Sequence, residues 1–165
     1  MNLYDIPIHE DSPNFCNVVV EIPKGSNEKY EYDPRGFFRY DRSLNTAMVY
    51  PANYGFIPNT MTEDGDPLDA VIYNFSPIQR GTVVEGRVLG VLDMTDDGEK
   101  DWKILVIPKC HIRKYNVLTD TPMSLLKIFK NFFAHYKDLD GKIVNMGDWH
   151  GKEKAFEIIN NSIVK

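Results

Sequence analysis

The amino-acid sequence predicts an α+β fold, mainly β, in which a small curved barrel of short strands is covered by helices, all in a single domain over residues 1–165. Three observations predict it. Short β-branched or alternating runs, punctuated by Pro and Gly, occupy the first two thirds of the chain. Apolar residues at helical spacing occupy the last third. No repeat, low-complexity stretch or linker separates the two parts.

Asn17–Ile22 (N-V-V-V-E-I) is a β-branched run ended by Pro23 and Gly25. Lys29–Tyr32 and Gly36–Tyr40 flank Asp33-Pro34-Arg35-Gly36, whose composition is that of a turn. Ala70–Tyr73 reads as a short strand. Thr82–Leu92 alternates apolar and other residues, and Gly86 and Gly90 within it suggest bends or bulges. Trp102–Ile107 is a further strand, stopped by Pro108. Between these two, Thr95–Asp101 carries Asp97-Gly98 near its centre and reads as a hairpin loop. In the last third, Asp120 or Thr121 can cap a helix with Pro122 at its first position. Leu125, Leu126, Phe129, Phe132, Phe133 and Tyr136 recur at helical spacing, with Gly141 past the end. A second helix is expected over Lys152–Asn161, with Ala155, Ile158 and Ile159 inward.

Composition narrows the function. The formal net charge is −5, whereas phosphate-backbone or anionic-membrane binding needs clustered Lys and Arg. Nucleic acid and membrane are therefore not expected as partners. Cys16 and Cys110 lie far apart and read as free thiols of a reducing compartment. The N-terminus lacks a basic stretch followed by an apolar one, and no apolar run approaches the roughly 20 residues of a membrane helix. A cytoplasmic protein is expected.

Asp64-Gly65-Asp66-Pro67-Leu68-Asp69 is the most informative segment. Gly65 and Pro67 disfavour a helix, so three carboxylates sit on a stiff turn entering a strand. Like charges this close repel, and either water or a cation must offset them. Taken alone, the pattern is more often that of a solvated acidic turn. An EF-hand is excluded, because its sixth position would be Asp69 and its twelfth Phe75. A second cluster, Asp93, Asp96, Asp97, Glu99 and Asp101, crowds one hairpin loop. Two such clusters converging in a small domain suit hard cations, and oxygen ligands favour Mg²⁺, Mn²⁺ or Ca²⁺ over zinc. His9, His111, His135 and His150 show no zinc-binding spacing. Basic and aromatic residues complement the acids: Lys29, Arg42, Tyr50, Tyr54, Lys103, Tyr136 and Lys137 are types that hold phosphate oxygens. Lys103 follows Asp101, and Glu31 follows Lys29, by two residues, which puts each pair on one strand face.

These segments resemble the family I soluble inorganic pyrophosphatases, especially the short bacterial type. The resemblance rests on Val18–Pro23, Lys29–Glu31, Asp41-Arg42, Tyr50–Ile57, Asp64–Ala70, Met94–Asp96, Asp101 with Lys103, and His135–Leu139, in order along nearly the whole chain. It implies a five-stranded OB-like barrel with flanking helices, the longer ones C-terminal. The implied activity is Mg²⁺-dependent hydrolysis of pyrophosphate to two phosphates by a metal-activated water. Several Mg²⁺ ions per site are implied, with other divalent cations able to substitute, and the implied assembly is a homohexamer. By matching positions, Asp64, Asp69 and Asp101 would bind the tighter metals. Asp96 with Asp101 would bind a further ion, and Glu31 one arriving with substrate. Asp66 would take the proton of the attacking water. Lys29, Arg42, Tyr54, Lys103, Tyr136 and Lys137 would hold phosphate groups, and Glu21 and Tyr50 would support them. One departure is Asp97, where the family usually has Glu. Its side chain is one methylene shorter, so no direct role carries over to it. The rival reading, an OB-fold binding single strands on its aromatic residues, is opposed by net acidity and carboxylate-rich loops.

Overall fold

A computed structural model describes residues 1–165. Nine strands and two α-helices follow in order: β1 (Phe15–Ile22), β2 (Glu28–Asp33), β3 (Phe37–Ser43), β4 (Asn53–Ile57), β5 (Leu68–Ile72), β6 (Val83–Asp96), β7 (Glu99–Lys100), β8 (Lys103–Pro108), α1 (Met123–His135), β9 (Val144–Gly151) and α2 (Lys152–Ser162). Strands β1, β4, β5, β8 and β6 pair in that order, and β6 pairs back onto β1, which closes a five-stranded barrel. The β5–β8 pair is parallel and the others are antiparallel. Closure leaves no barrel edge unpaired. Strand β6 is long enough to run beyond the barrel, where β7 and β9 pair with its far end. The β2–β3 hairpin forms a separate two-stranded sheet.

Alternation along the strands separates two cores. Val18, Val20, Ile57, Leu68, Ala70, Ile72, Val84, Val88, Val91, Ile104 and Val106 come from all five barrel strands and pack together as the interior. Ala155, Ile158 and Ile159 of α2 join them, as their helical spacing predicts. The intervening residues Val71, Leu89, Leu105 and Ile107 face outward and are covered by Leu126, Phe129, Phe132 and Phe133 of α1. Phe129 and Phe132 are each 1% exposed, and burying a side chain of this size contributes roughly 1.5–3 kcal/mol.

Three strands escape the sequence expectation: the two-residue β7, which lies within the expected Thr95–Asp101 loop, and β4 and β9. β4 contains Gly55, and β9 reads V-N-M-G-D-W-H-G, with few apolar positions. β4 and β9 exist through pairing partners rather than through their own propensity. Gly55 permits the closest approach in the barrel: a Cβ there would lie 1.8 Å from the Val19 carbonyl oxygen. The start of α1 is a correction. Pro122 occupies the cap position, and the helix begins at Met123 without a side-chain cap. The Asp120 carboxylate instead accepts from the backbone N–H groups of Asn116 and Val117, which fixes the preceding turn. Gly141, at φ 68°, ends the short 3₁₀ turn Asp138–Asp140 that follows the helix. No helix is long and apolar enough to cross a membrane.

Candidate functional site

Four chain segments converge around a polar cavity of about 340 Å³. The first is the acidic turn ahead of β5. Gly65 adopts φ 88°, and Asp64 Oδ1 accepts from the Asp66 N–H at 2.9 Å and from Thr62 Oγ1 at 2.5 Å. The Thr62 N–H donates to the Asp66 carbonyl at 2.8 Å. This self-bonded turn holds Asp64 and Asp66 outward, and Asp69 follows one turn later as the second residue of β5.

The second segment is the β6–β7 turn and the start of β8. Asp97 at φ 52° and Gly98 at φ 82° form the two central positions of a tight hairpin turn, closed by the Asp96–Glu99 pair. Two left-handed residues match the twist of the flanking strands, and Asp-Gly is suited to both. Parallel pairing places Asp69 beside Lys103. Lys103 Nζ donates to Asp69 Oδ2 at 2.6 Å, to Asp101 Oδ1 at 2.7 Å and to the Tyr54 hydroxyl at 2.9 Å. The third segment follows α1. Tyr136 stacks on Phe132, and Lys137 Nζ bonds Asp96 Oδ2. From the β2–β3 hairpin, Lys29 Nζ reaches Glu31 at 2.8 Å and Asp41 at 3.4 Å.

The structure brings Glu21, Lys29, Glu31, Tyr50, Tyr54, Asp64, Asp66, Asp69, Asp96, Asp101, Lys103, Tyr136 and Lys137 to the wall of this one cavity. Arg42 is not among the residues that line the cavity. Its guanidinium donates to Asp41 at 2.8 Å, and Asp41 in turn faces Lys29. Sequence reasoning missed Thr62, Lys100 and Lys142 as wall residues. Thr62 carried a signal, since a Thr two residues before an Asp favours a local side-chain turn. The two lysines carried none, being surface residues brought in by the β7 hairpin and the Gly141 turn.

Electrostatics follows from the crowding. Burial pushes the Asp66 carboxyl up, with Asp64 adding to it. Burial also raises Asp69, to about 6, against the pull of Lys103. At Asp101 burial is the largest single influence and acts upward, but the charge and hydrogen bond of Lys103, the hydrogen bond with Asp69 and the charge of Lys137 together outweigh it, and the carboxyl is held low. Lys103 is raised by Asp69 and Asp101 despite its burial, so it stays an ammonium. Burial lifts the phenols of Tyr50 and Tyr54 well above their usual range, which keeps them as O–H donors.

Glu21, on β1, is raised to about 8, chiefly by burial, although it accepts the Tyr32 N–H. This yields a stability prediction for the protein without divalent cation. The folded state keeps the proton up to about pH 8, whereas the unfolded chain releases it near its ordinary value of 4.5. The resulting cost is absent below the unfolded value and grows as pH rises toward 8. Glu21→Gln keeps the acceptor and removes the titration. It is expected to stabilise the cation-free protein by on the order of 2 kcal/mol near pH 8 and to change little near pH 4. Thermal melts at the two pH values check this, and an equal melting-temperature change at both would refute it.

Nine carboxylates and five lysines line the cavity. No three carboxylate, His or Cys side chains converge closely enough to hold one ion by themselves; the acids are drawn onto lysines instead. The donor set is nonetheless suited to a hard cation. Asp69 and Asp101 already share one positive charge between them, that of Lys103, and every acidic ligand is oxygen.

Comparison with known proteins agrees with this geometry. The family model described as Inorganic pyrophosphatase matches residues 18–165. The chain is 43% identical to the inorganic pyrophosphatase of Brucella melitensis, over 99% of this chain and 97% of that one. It is 44% identical to that of Campylobacter jejuni, over 99% and 98%. The crystal structure of the inorganic pyrophosphatase from Thermus thermophilus is similar at a TM-score of 0.94 and 37% identity, covering 99% of this chain and 97% of that one.

Proposed function

The chain belongs to the inorganic pyrophosphatase family, hydrolases of pyrophosphate, and on that premise we propose that the cavity carries out Mg²⁺-dependent attack of water on pyrophosphate. The observation that carries this is the charge balance of the wall. The substrate is a polyanion, yet carboxylates outnumber lysines. Divalent cations reverse that balance. Asp64, Asp69, Asp96 and Asp101 would hold them, with Glu31 taking one that enters with the substrate. When bound, the ions neutralise phosphate charge and acidify water.

The chain's own groups supply the rest. Asp66, held outward by a turn whose bonds use its backbone and leave its carboxylate free, accepts the proton of the attacking water. Lys29, Lys103 and Lys137, now paired with carboxylates, would hold phosphate oxygens where those carboxylates held cations. Tyr54 and Tyr136 donate hydroxyls to the same oxygens. Arg42, bonded to the same Asp41 that faces Lys29, would hold a phosphate group with it, and Glu21 and Tyr50 would support these groups. The closing charge falls on the departing phosphate, where the lysines stabilise it. The reading is tested by phosphate release from pyrophosphate with Mg²⁺ present, with two phosphates expected per molecule consumed. No release at saturating substrate overturns it.

Asp97 borders the cavity but serves the turn. Asp97→Asn suits a left-handed backbone and removes the charge. It is expected to keep most activity, whereas Asp96→Asn and Asp101→Asn should each lose about 100-fold or more. Equal losses at all three, measured by steady-state kinetics, would give Asp97 a direct role.

The assembly is proposed to be a homohexamer in the cytoplasm. Met123 and Ile128 leave apolar surface on α1 at 66% and 49% exposure, which a subunit contact would cover. Light scattering at micromolar concentration is expected to give a hexamer mass; a monomer would refute it.

A further inference from the structure

We propose that Arg80 is a positioning residue for Lys29 and Glu31, acting through the ring of Tyr30. The inference rests on the substrate-site reading of those two residues. The β2–β3 hairpin that carries them shares no ladder with the barrel, so its position must be set by other contacts. One end is anchored. The Tyr32 N–H donates to Glu21 Oε1 at 2.8 Å, and the Tyr4 hydroxyl donates to the Tyr32 carbonyl at 2.8 Å. The chain entering β2 is anchored too, by the Tyr50 N–H to the Ser26 carbonyl at 2.9 Å. Between these anchors the ladder slips. Lys29 pairs with Arg42 but Tyr30 pairs with Tyr40, so Asp41 is an extra residue on β3. A bulge disrupts the ladder locally, and this one lies where Lys29 needs a fixed direction.

Arg80 meets the hairpin at that place. The Cζ of its guanidinium lies over the Tyr30 ring, 3.3 Å from the centroid, within cation–π distance. Its Nε donates to the Glu21 carbonyl at 2.7 Å. The arm behind it is stiff: the Gly81 N–H donates to the Val20 carbonyl at 2.8 Å, and the Val20 N–H to the Thr82 carbonyl at 3.0 Å. Glu21 is thus clipped to the hairpin twice, by its carboxylate through Tyr32 and by its carbonyl through Arg80 and Tyr30. Arg80 is not part of the cavity wall, whereas Tyr30 borders it between Lys29 and Glu31. Displacement of a substrate-holding group by about 1 Å can cost as much as 100-fold, so a clip at Tyr30 acts on substrate affinity without touching substrate.

The test is steady-state hydrolysis of magnesium pyrophosphate by Arg80→Met, Arg80→Lys and Tyr30→Leu, with thermal melts of each. Arg80→Met is expected to raise KM about tenfold with kcat changed less than about threefold. Arg80→Lys keeps the charge but loses the flat face, and is expected to leave KM near that of Arg80→Met. Tyr30→Leu should reproduce the defect, and Arg80→Met/Tyr30→Leu should be no worse than either alone, because both remove one contact. An unchanged KM in Arg80→Met, wild-type KM in Arg80→Lys, or multiplying effects in the double variant would each overturn the proposal. If Arg80→Met does not fold, Arg80→Lys and Tyr30→Leu decide: both raised in KM supports it, either one at wild-type KM overturns it. Lys29→Met separates the premise from the inference. If it leaves KM unchanged in an active enzyme, the reading of Lys29 fails. If it raises KM while the Arg80 variants do not, only the positioning role falls.

Discussion

Excess EDTA is expected to abolish phosphate release from pyrophosphate, and Mg²⁺ above the chelator is expected to restore it. The loss should be at least several hundredfold, because two separate contributions vanish together. One is charge reversal. The wall carries nine carboxylates against five lysines, and even with Glu21 protonated the acids remain in excess. Charges about 4 Å apart interact by about 4 kcal/mol at an effective dielectric of 20, so a polyanion entering this wall unaided is strongly opposed. The other contribution is occupation of the lysines. Lys103 is buried between Asp69 and Asp101, and Lys137 is on Asp96. On the proposed reading, those ammonium groups would turn to phosphate once the carboxylates held a cation instead. The same logic gives an activity-independent readout, since binding to the folded state stabilises it by roughly 2.7 kcal/mol at 100 times the dissociation constant. Full activity in excess chelator, or an unchanged melting temperature at saturating Mg²⁺, would refute the metal assignment.

Local chemistry made much of this molecule legible. The β-branched run of β1, the Asp-Pro-Arg-Gly turn between β2 and β3, and the Asp97-Gly98 turn all lie where composition places them, because each is decided by a few adjacent residues. Ala155, Ile158 and Ile159 face inward as the helical period requires. β4 and β9 were not legible, because their hydrogen bonds come from β1, β5 and β6, and long-range pairing overrides weak propensity. Within the site, the acids announced themselves by their density in two short segments. Their meeting did not: it follows from the parallel β5–β8 pair, which lays Asp69 beside Lys103 across more than thirty intervening residues. Lys100 and Lys142 were invisible for the same reason, and the pairing of Arg42 with Lys29 is followed by a bulge that no pattern in β3 foretells.

Asp66→Asn and Asp69→Asn are expected to fail in different ways, although both remove one carboxylate from the same short segment. Asp69 is raised to about 6 by burial, beside Lys103 and Asp101. In a ligand position its charge is needed to draw a cation in. Losing it should weaken Mg²⁺ binding, and high Mg²⁺ should recover part of the rate. Asp66 contributes differently. Its carbonyl and N–H are tied to Thr62 and Asp64, so the backbone is fixed whatever the side chain is. Burial raises its carboxyl, which makes it a better proton acceptor than an ordinary aspartate. Asn keeps the shape and cannot accept that proton. A positioned base contributes roughly 10² to 10⁴ in rate, so kcat should fall within that range while Mg²⁺ affinity changes little. Titration calorimetry with Mg²⁺, together with kcat measured over a Mg²⁺ series, separates the two cases. If high Mg²⁺ rescues Asp66→Asn as fully as Asp69→Asn, Asp66 is a ligand, and the proton must go elsewhere.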